Sequence, residues 1–175
     1  MQLKYHAAFS LLLCVPSVAV AAPSTLRGKT ADLTLDVTGF DRQLGPGSLG
    51  GEYERLGQFS RDRLNFSALV DTPPAGFDLE RLKRHVLESY DSRFAGKPPS
   101  PEAITSPPGF FLSWVEQKSS IRTWLLYFEM LDHGRWLELH FSTVDPKRDT
   151  LPAMIALAHK IASGMTFTAK PMGAR

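Results

Sequence analysis

Glu129, Glu138 and His140, with Tyr127 close by, form the densest group of acid–base side chains in this 175-residue chain. If Glu129 and Glu138 face each other across a strand pair, their like charges repel by ~0.2–1 kcal/mol. Placed among Phe110 and Trp136, at least one of the two carboxyls would hold its proton to unusually high pH, because an apolar site disfavours a second charge. A proton-sharing carboxyl pair beside a histidine can transfer protons or hold a metal ion. The plainer alternative is a solvated sheet edge, or carboxylates neutralised by Arg55, Arg61 or Arg63 from a neighbouring strand. The candidate ligand-binding residues are therefore Glu129, Glu138, His140, Tyr127, Trp136 and Trp114.

No other group of residues offers comparable chemistry. Gly45-Pro-Gly-Ser-Leu-Gly50 spells the dinucleotide glycine pattern, but a strand-like run follows it where that motif needs a helix. Ser48 lacks the Gly-x-Ser-x-Gly elbow of a serine nucleophile. His85 falls off the apolar stripe of its helix and is expected in solvent, His159 has no acidic residue four positions on, and His133 sits in a turn. No two histidines have the spacing of metal ligands. Arg81, Lys83 and Arg84 are interleaved with acids, as on an ordinary wet helix face. No catalytic residue, metal ligand set or cofactor is assigned.

The elements around the candidate cluster follow from turn chemistry and side-chain alternation. Strands are expected at Phe110–Gln117, Arg122–Leu131 and Trp136–Val144, joined by turns at 118–121 and 132–135. The second turn supplies glycine where a positive φ is needed. Closing both turns sets Leu131 opposite Trp136, Glu129 opposite Glu138, Tyr127 opposite His140, Leu112 opposite Tyr127 and Phe110 opposite Glu129. Side chains alternate across a strand. One face then collects Phe111, Val115, Trp124, Leu126, Phe128, Met130, Leu137, Leu139 and Phe141, which is core. The other collects Phe110, Leu112, Trp114, Leu125, Tyr127, Leu131 and Trp136 around the two glutamates and His140. So many aromatics on one face call for a covering helix; left open, they would be a protein or glycan contact surface.

Before the meander, Leu33, Leu35 and Val37 alternate as a half-buried strand, residues 41–51 read as a glycine-rich turn, and further strands are expected at 52–59 and 63–70. A helix begins at Asp78, which can cap it, and Leu79, Leu82, Val86, Tyr90 and Phe94 recur on one face. Gly96 ends it. Residues 97–109, with five prolines, read as a stiff extended connection. A second helix is expected from about Asp149 to Gly164, with Pro152 in its first turn and a small-residue packing face, before a last strand at Thr166–Ala169. Adjacent strands combined with two amphipathic helices indicate an α+β fold: a mostly antiparallel twisted sheet flanked by two main helices, an α/β/α sandwich.

Lys4, an apolar run from Ala7 to Val15 and the small residues Ala19 and Ala21 around Val20 read as a cleavable secretory signal over residues 1–21. The run is too short to span a bilayer, which takes ~20 residues, and Pro16 interrupts it. Leu13 before Cys14 argues against lipidation. The expected organisation is the signal at 1–21, a mobile leader at 22–30, one globular domain at 31–170 and a tail at 171–175. Losing Lys4 and Cys14 leaves a domain of 154 residues with 19 basic and 18 acidic side chains and no cysteine. Such a balance lacks the basic stripe that nucleic acid requires. Its stability must come from packing, with no disulfide.

The run Trp136-Leu-Glu-Leu-His-Phe-Ser, the helix over 151–163 and the closing Met165-Thr-Phe together resemble the C-terminal half of PsbP-type domains. These are α/β/α sandwiches that include photosystem extrinsic proteins and a nuclear-transport regulator. The resemblance implies a domain that binds other proteins or small ligands and rarely catalyses, and it carries no functional residue over to this chain. The expected function is a non-enzymatic exported module, in the periplasm or outside the cell, that binds a partner protein or small envelope ligand without nucleic acid or a transmembrane segment. Its contact surface would be the sheet face or the proline-rich loop. Two alternatives remain: an immunity-type inhibitor of an envelope-acting toxin, and a hydrolase or lyase using Glu129, Glu138 and His140. An enzyme would need a concave, water-restricted pocket around that cluster.

Overall fold

The computed structural model describes residues 18–19, 23–50, 53–91, 102–105, 108–118, 121–144 and 151–170. In chain order the elements are β1 (Val18–Ala19), β2 (Pro23–Arg27), β3 (Ala31–Asp36), β4 (Asp41–Leu44), β5 (Gly47–Gly50), β6 (Tyr53–Arg61), β7 (Leu64–Asp71), α1 (Leu79–Asp91), β8 (Glu102–Thr105), β9 (Pro108–Lys118), β10 (Ile121–Asp132), β11 (Arg135–Val144), α2 (Leu151–Ser163) and β12 (Thr166–Ala169). A nine-stranded antiparallel sheet runs in the order β1-β4-β6-β7-β11-β10-β9-β8, with β5 also paired to β6. A separate three-stranded sheet has the order β12-β3-β2. The fold is α+β, as the residue pattern implies.

Each face of the large sheet has its own cover. On one, Phe111, Trp124, Leu126, Phe128, Met130, Leu137, Leu139 and Phe141 join Leu26, Leu33 and Leu35 of the small sheet and Ala158, Ile161 and Ala162 of α2 in one buried cluster. This is the face expected to be core; the side chain of Val115 lies outside the described residues. Phe66 is its aromatic centre. It stacks on Phe59 (ring centroids 4.9 Å apart) and Phe141 (5.2 Å), its neighbours in register on β6 and β7's other partner β11, and meets the edge of Phe40 at 5.6 Å. On the other face, Leu82 and Val86 of α1 pack on Phe110, Leu112 and Trp136. The aromatic face is therefore covered by a helix at this end.

The helix start at Asp78 is confirmed, its Oδ1 accepting the Arg81 backbone N–H at 2.8 Å. The part of the expected helix beyond Asp91, with Phe94 and Gly96, lies outside the described residues. The turn at 132–135 is left-handed at both central positions, with φ of 44° at His133 and 74° at Gly134. That matches the right-handed twist of the strands it joins.

Three segments differ from the sequence reading. The expected leader at 22–30 contains β2, which buries Leu26 and pairs with β3 from Pro23↔Asp36 to Arg27↔Asp32. The glycine-rich turn at 41–51 contains β4 and β5, irregularly paired with β6. The proline-rich connection contains β8, an edge strand on β9; extended proline-flanked backbone suits an edge, where a missing N–H costs no ladder bond. The last strand stands where it is expected, at Thr166–Ala169, and as β12 closes the small sheet on β3. Residues 1–17 lie outside the described residues, and β1 adds two residues to the outer edge of β4.

Glu54 ties the two sheets together. Buried on β6, its carboxylate accepts the Lys29 and Thr30 backbone N–H groups at 2.8 and 3.1 Å and the Thr30 hydroxyl at 2.9 Å, filling the turn between β2 and β3. Hydrogen bonds to a charged acceptor contribute about 1.5–3 kcal/mol each, and a glutamine would turn an N–H₂ toward these donors. Glu54→Gln is expected to lower stability by about 1–3 kcal/mol in urea unfolding. A change within about 0.5 kcal/mol, the range of an ordinary surface substitution, would show that the turn holds without it.

Candidate functional site

The meander pairs as its turns require: Glu129↔Glu138, Tyr127↔His140 and Leu131↔Trp136 between β10 and β11, and Phe110↔Glu129 and Leu112↔Tyr127 between β9 and β10. Five of the six candidate residues are thereby gathered on the α1 side of the sheet. Trp114 is in register with Leu125 on β10, and its side chain lies outside the described residues.

Glu129 has no exposed surface. Its Oε2 accepts the Trp136 indole N–H at 2.5 Å, while Oε1 is buried without a protein hydrogen-bond partner among the described residues. Burial, and then the charge of Glu138 opposite, push its carboxyl well above the usual range; the Trp136 bond pulls weakly the other way. The shift favours the protonated form of Glu129, which is able to donate a hydrogen bond.

β9 is able to close on Glu129 because residue 109 is glycine. A Cβ there would lie 2.5 Å from the Glu129 carbonyl oxygen and 2.7 Å from the Phe128 ring.

His140 stacks on Tyr127 with centroids 4.3 Å apart and planes 11° from parallel. The residue as a whole is partly exposed, but Nε2 is buried and lacks a protein hydrogen-bond partner among the described residues. Burial lowers its pKa to about 4, so the imidazole is neutral at pH 7. Glu129 and His140 are diagonal neighbours on adjacent strands of the same face, within reach of long side chains.

The arginine alternative finds no support in the contacts of the three arginines. The Arg55 Nε–H donates to the Gly45 carbonyl at 3.1 Å, Arg61 lies beside Asp62 and over the Phe40 ring, and Arg63 is exposed in the β6–β7 turn.

The residue missed from sequence is His85. Expected in solvent, it is half-buried with its ring edge-on to Phe77 (5.9 Å) and Trp136 (6.0 Å), part of the roof over the site. The signal was its spacing, three after Leu82 and one before Val86, on the buried face of α1. His159 also has a contact that spacing along α2 does not reveal, stacking on Phe111 at 3.9 Å.

The face continues past α1. The rows Gln58–Ser67–His140–Tyr127 and Ser60–Asn65–Ser142–Leu125 cross β6, β7, β11 and β10 in register. Asn65 is exposed and Gln58, Ser60, Ser67 and Ser142 are partly so. The Gln43 amide donates to Ser60 Oγ at 2.8 Å. One half of the face is thus greasy and helix-covered, the other an open floor of amides and hydroxyls, with His140 and Tyr127 on the boundary. A separate apolar groove of about 580 Å³ lies along α2 between Leu151, Pro152, Ile155, Ala156 and His159. No group of three or more metal-binding side chains occurs among the described residues.

No protein-family model and no curated protein matches this chain. Solved structures do. The fold is similar to that of LpqN of Mycobacterium tuberculosis, described as involved in cell envelope biogenesis, with a TM-score of 0.52 and 13% identity over 83% of this chain and 90% of that one. It is also similar to cyanobacterial PsbP of Synechocystis sp. PCC 6803, with a TM-score of 0.46 and 12% identity over 89% and 98% of the two chains. The likeness to LpqN is one of fold alone.

Proposed function

We propose that this chain is a non-enzymatic, exported binding module, and that it holds a small envelope ligand or a partner on the α1 side of its large sheet. The observation that carries this reading is the pair of buried polar atoms, Glu129 Oε1 and His140 Nε2, where the covered half of the face meets the open half. Leaving such groups unpaired costs about 1–3 kcal/mol each, and a ligand reaching in from the open floor would satisfy them. The partly exposed Tyr127, Glu138 and His140 would touch the ligand; Glu129 and Trp136 behind them would hold its inner end.

The signal-like residues 1–21 support export, and the likeness in fold to an envelope-biogenesis protein is consistent with an envelope role.

The test is imidazole ¹⁵N spectroscopy of the purified protein titrated with a deproteinised envelope extract. The His140 signal is expected to move, with Glu129→Leu, which offers no hydrogen bond, reducing the movement. An unmoved His140, with or without a shift at His159 beside the α2 groove, would overturn the assignment of this face.

A further inference from the structure

The open half of the α1-side face is made almost entirely of side chains that hydrogen-bond without carrying charge. Gln58 and Ser67 lie in register with His140 and Tyr127, and Asn65 and Ser142 occupy the next row. Among the described residues, formal charges stand at its margins: Asp41 at the outer end of the Ser60 row, and Arg55 and Glu138 on either side of Leu69 one row inward. At pH 7 the imidazole between them is neutral. The Arg55 guanidinium turns to the Gly45 carbonyl, so within the two rows, among the described residues, an anionic ligand would find no cation and a cationic one no acid at the centre.

The strands beneath are interior. β6, β7, β11 and β10 each pair on both sides, so their backbone groups are already used in the ladders. A peptide adding as a strand needs an open edge with free N–H and C=O groups. This floor offers only side-chain hydroxyls and amides, arranged in two parallel rows. That arrangement suits a ligand carrying many hydroxyls of its own.

We propose that the open half of this face binds a neutral oligosaccharide, whose hydroxyls pair with Gln58, Asn65, Ser67 and Ser142 and whose inner end reaches the buried nitrogen of His140. This rests on the reading of the face as a binding site and adds the class of ligand. Tyr127, stacked behind His140, fixes the plane of the imidazole and so the direction of its hydrogen bond. A few neutral hydrogen bonds at such a surface give dissociation constants on the order of 0.1–10 mM.

The probe is chitotriose, a neutral trisaccharide, titrated to about 10 mM against ¹⁵N-labelled protein, the weak end of the expected range. Resonances of Asn65, Ser67, Ser142 and His140 are expected to shift together, and the Asn65→Ala/Ser142→Ala double variant to bind roughly tenfold more weakly. These two substitutions lie on the partly exposed floor outside both buried clusters, and an unchanged spectrum elsewhere would report an intact fold. Parallel titrations use the cationic glucosamine trimer, anionic trigalacturonate and trialanine. Should any of these move the same residues more strongly than chitotriose, the neutral-sugar proposal fails while the binding face stands. Should chitotriose shift nothing on this floor and none of the other probes do so, both fail. Unaltered affinity in the double variant also overturns the proposal.

Discussion

Replacing Phe66 with alanine is expected to lower folding stability by about 3–5 kcal/mol, the usual cost of emptying an aromatic core position. Phe66 is 1% exposed and contacts Phe40, Phe59 and Phe141, which come from the β3–β4 connection and strands β6 and β11. The vacated space is walled by rings whose backbones are fixed in the ladder, so it cannot collapse readily. Aromatic pairs add about 0.5–1.5 kcal/mol beyond burial, and three end at once. Domains of this size are stable by roughly 5–15 kcal/mol, so the variant should unfold at far lower urea or not fold at all. Phe66→Leu retains most of the volume and provides the readable comparison, at about 1–2 kcal/mol. A loss below about 1 kcal/mol for Phe66→Ala would mean that this ring stack is not the centre of the core.

The second large effect is a pH dependence with two opposing parts. His140 is neutral in the fold down to about pH 4, against 6.5 for a free imidazole. Between these values the unfolded chain binds more protons, so stability is present above pH 6.5 and is lost as pH falls toward 4. Linkage over that interval amounts to about 2–3 kcal/mol, somewhat reduced because the residue is partly exposed. Glu129 acts in reverse. Its folded pKa is raised, so its contribution is fully present below the ordinary carboxyl range and disappears as pH rises through the folded value. Wild-type protein therefore gains from Glu129 on acidification while it loses from His140.

His140→Phe keeps the stack on Tyr127 and removes the titration. Relative to wild type it should gain about 2–3 kcal/mol between pH 7 and pH 4.5 in urea unfolding. Glu129→Gln, which removes the opposing part, should make the acid loss steeper. Parallel pH profiles for wild type and both variants would show that neither group is shifted by burial.

The two partnerless atoms give these substitutions a functional side as well. Glu129→Gln keeps a hydrogen-bond donor and acceptor in the same volume but fixes the group neutral at every pH. A ligand that pairs with the neutral acid should therefore bind this variant above the folded pKa of Glu129 better than it binds wild type.

The candidate site was legible because its positions depend on local rules. Turn residues at 118–121 and 132–135 set the register, and strict alternation sorted the faces; the pairs Glu129↔Glu138 and Tyr127↔His140 followed without further information. The neighbours supplied by β7 did not follow. Ser67 lies beside His140 and Leu69 beside Glu138 only because β7 pairs with β11, across an intervening helix and three strands. The open polar floor is built on that pairing, and the residues forming it are individually ordinary. His85 shows a narrower failure: an apolar stripe drawn from aliphatic residues leaves out a histidine whose ring lies against Trp136.

From the amino-acid order alone came the α+β class, the meander's register, the two helices and the division of its side chains between a greasy face and a mixed aromatic–acidic one, all consequences of period and turn chemistry between near neighbours. Tertiary structure alone decided that β12 and β2 join β3 in a second sheet, that α1 seals Glu129 away from water, and that a neutral polar floor extends beyond the helix. The physical reason is that non-local strand pairing and helix docking are set by which buried surfaces fit together over the whole chain, and no short window of residues contains that sum.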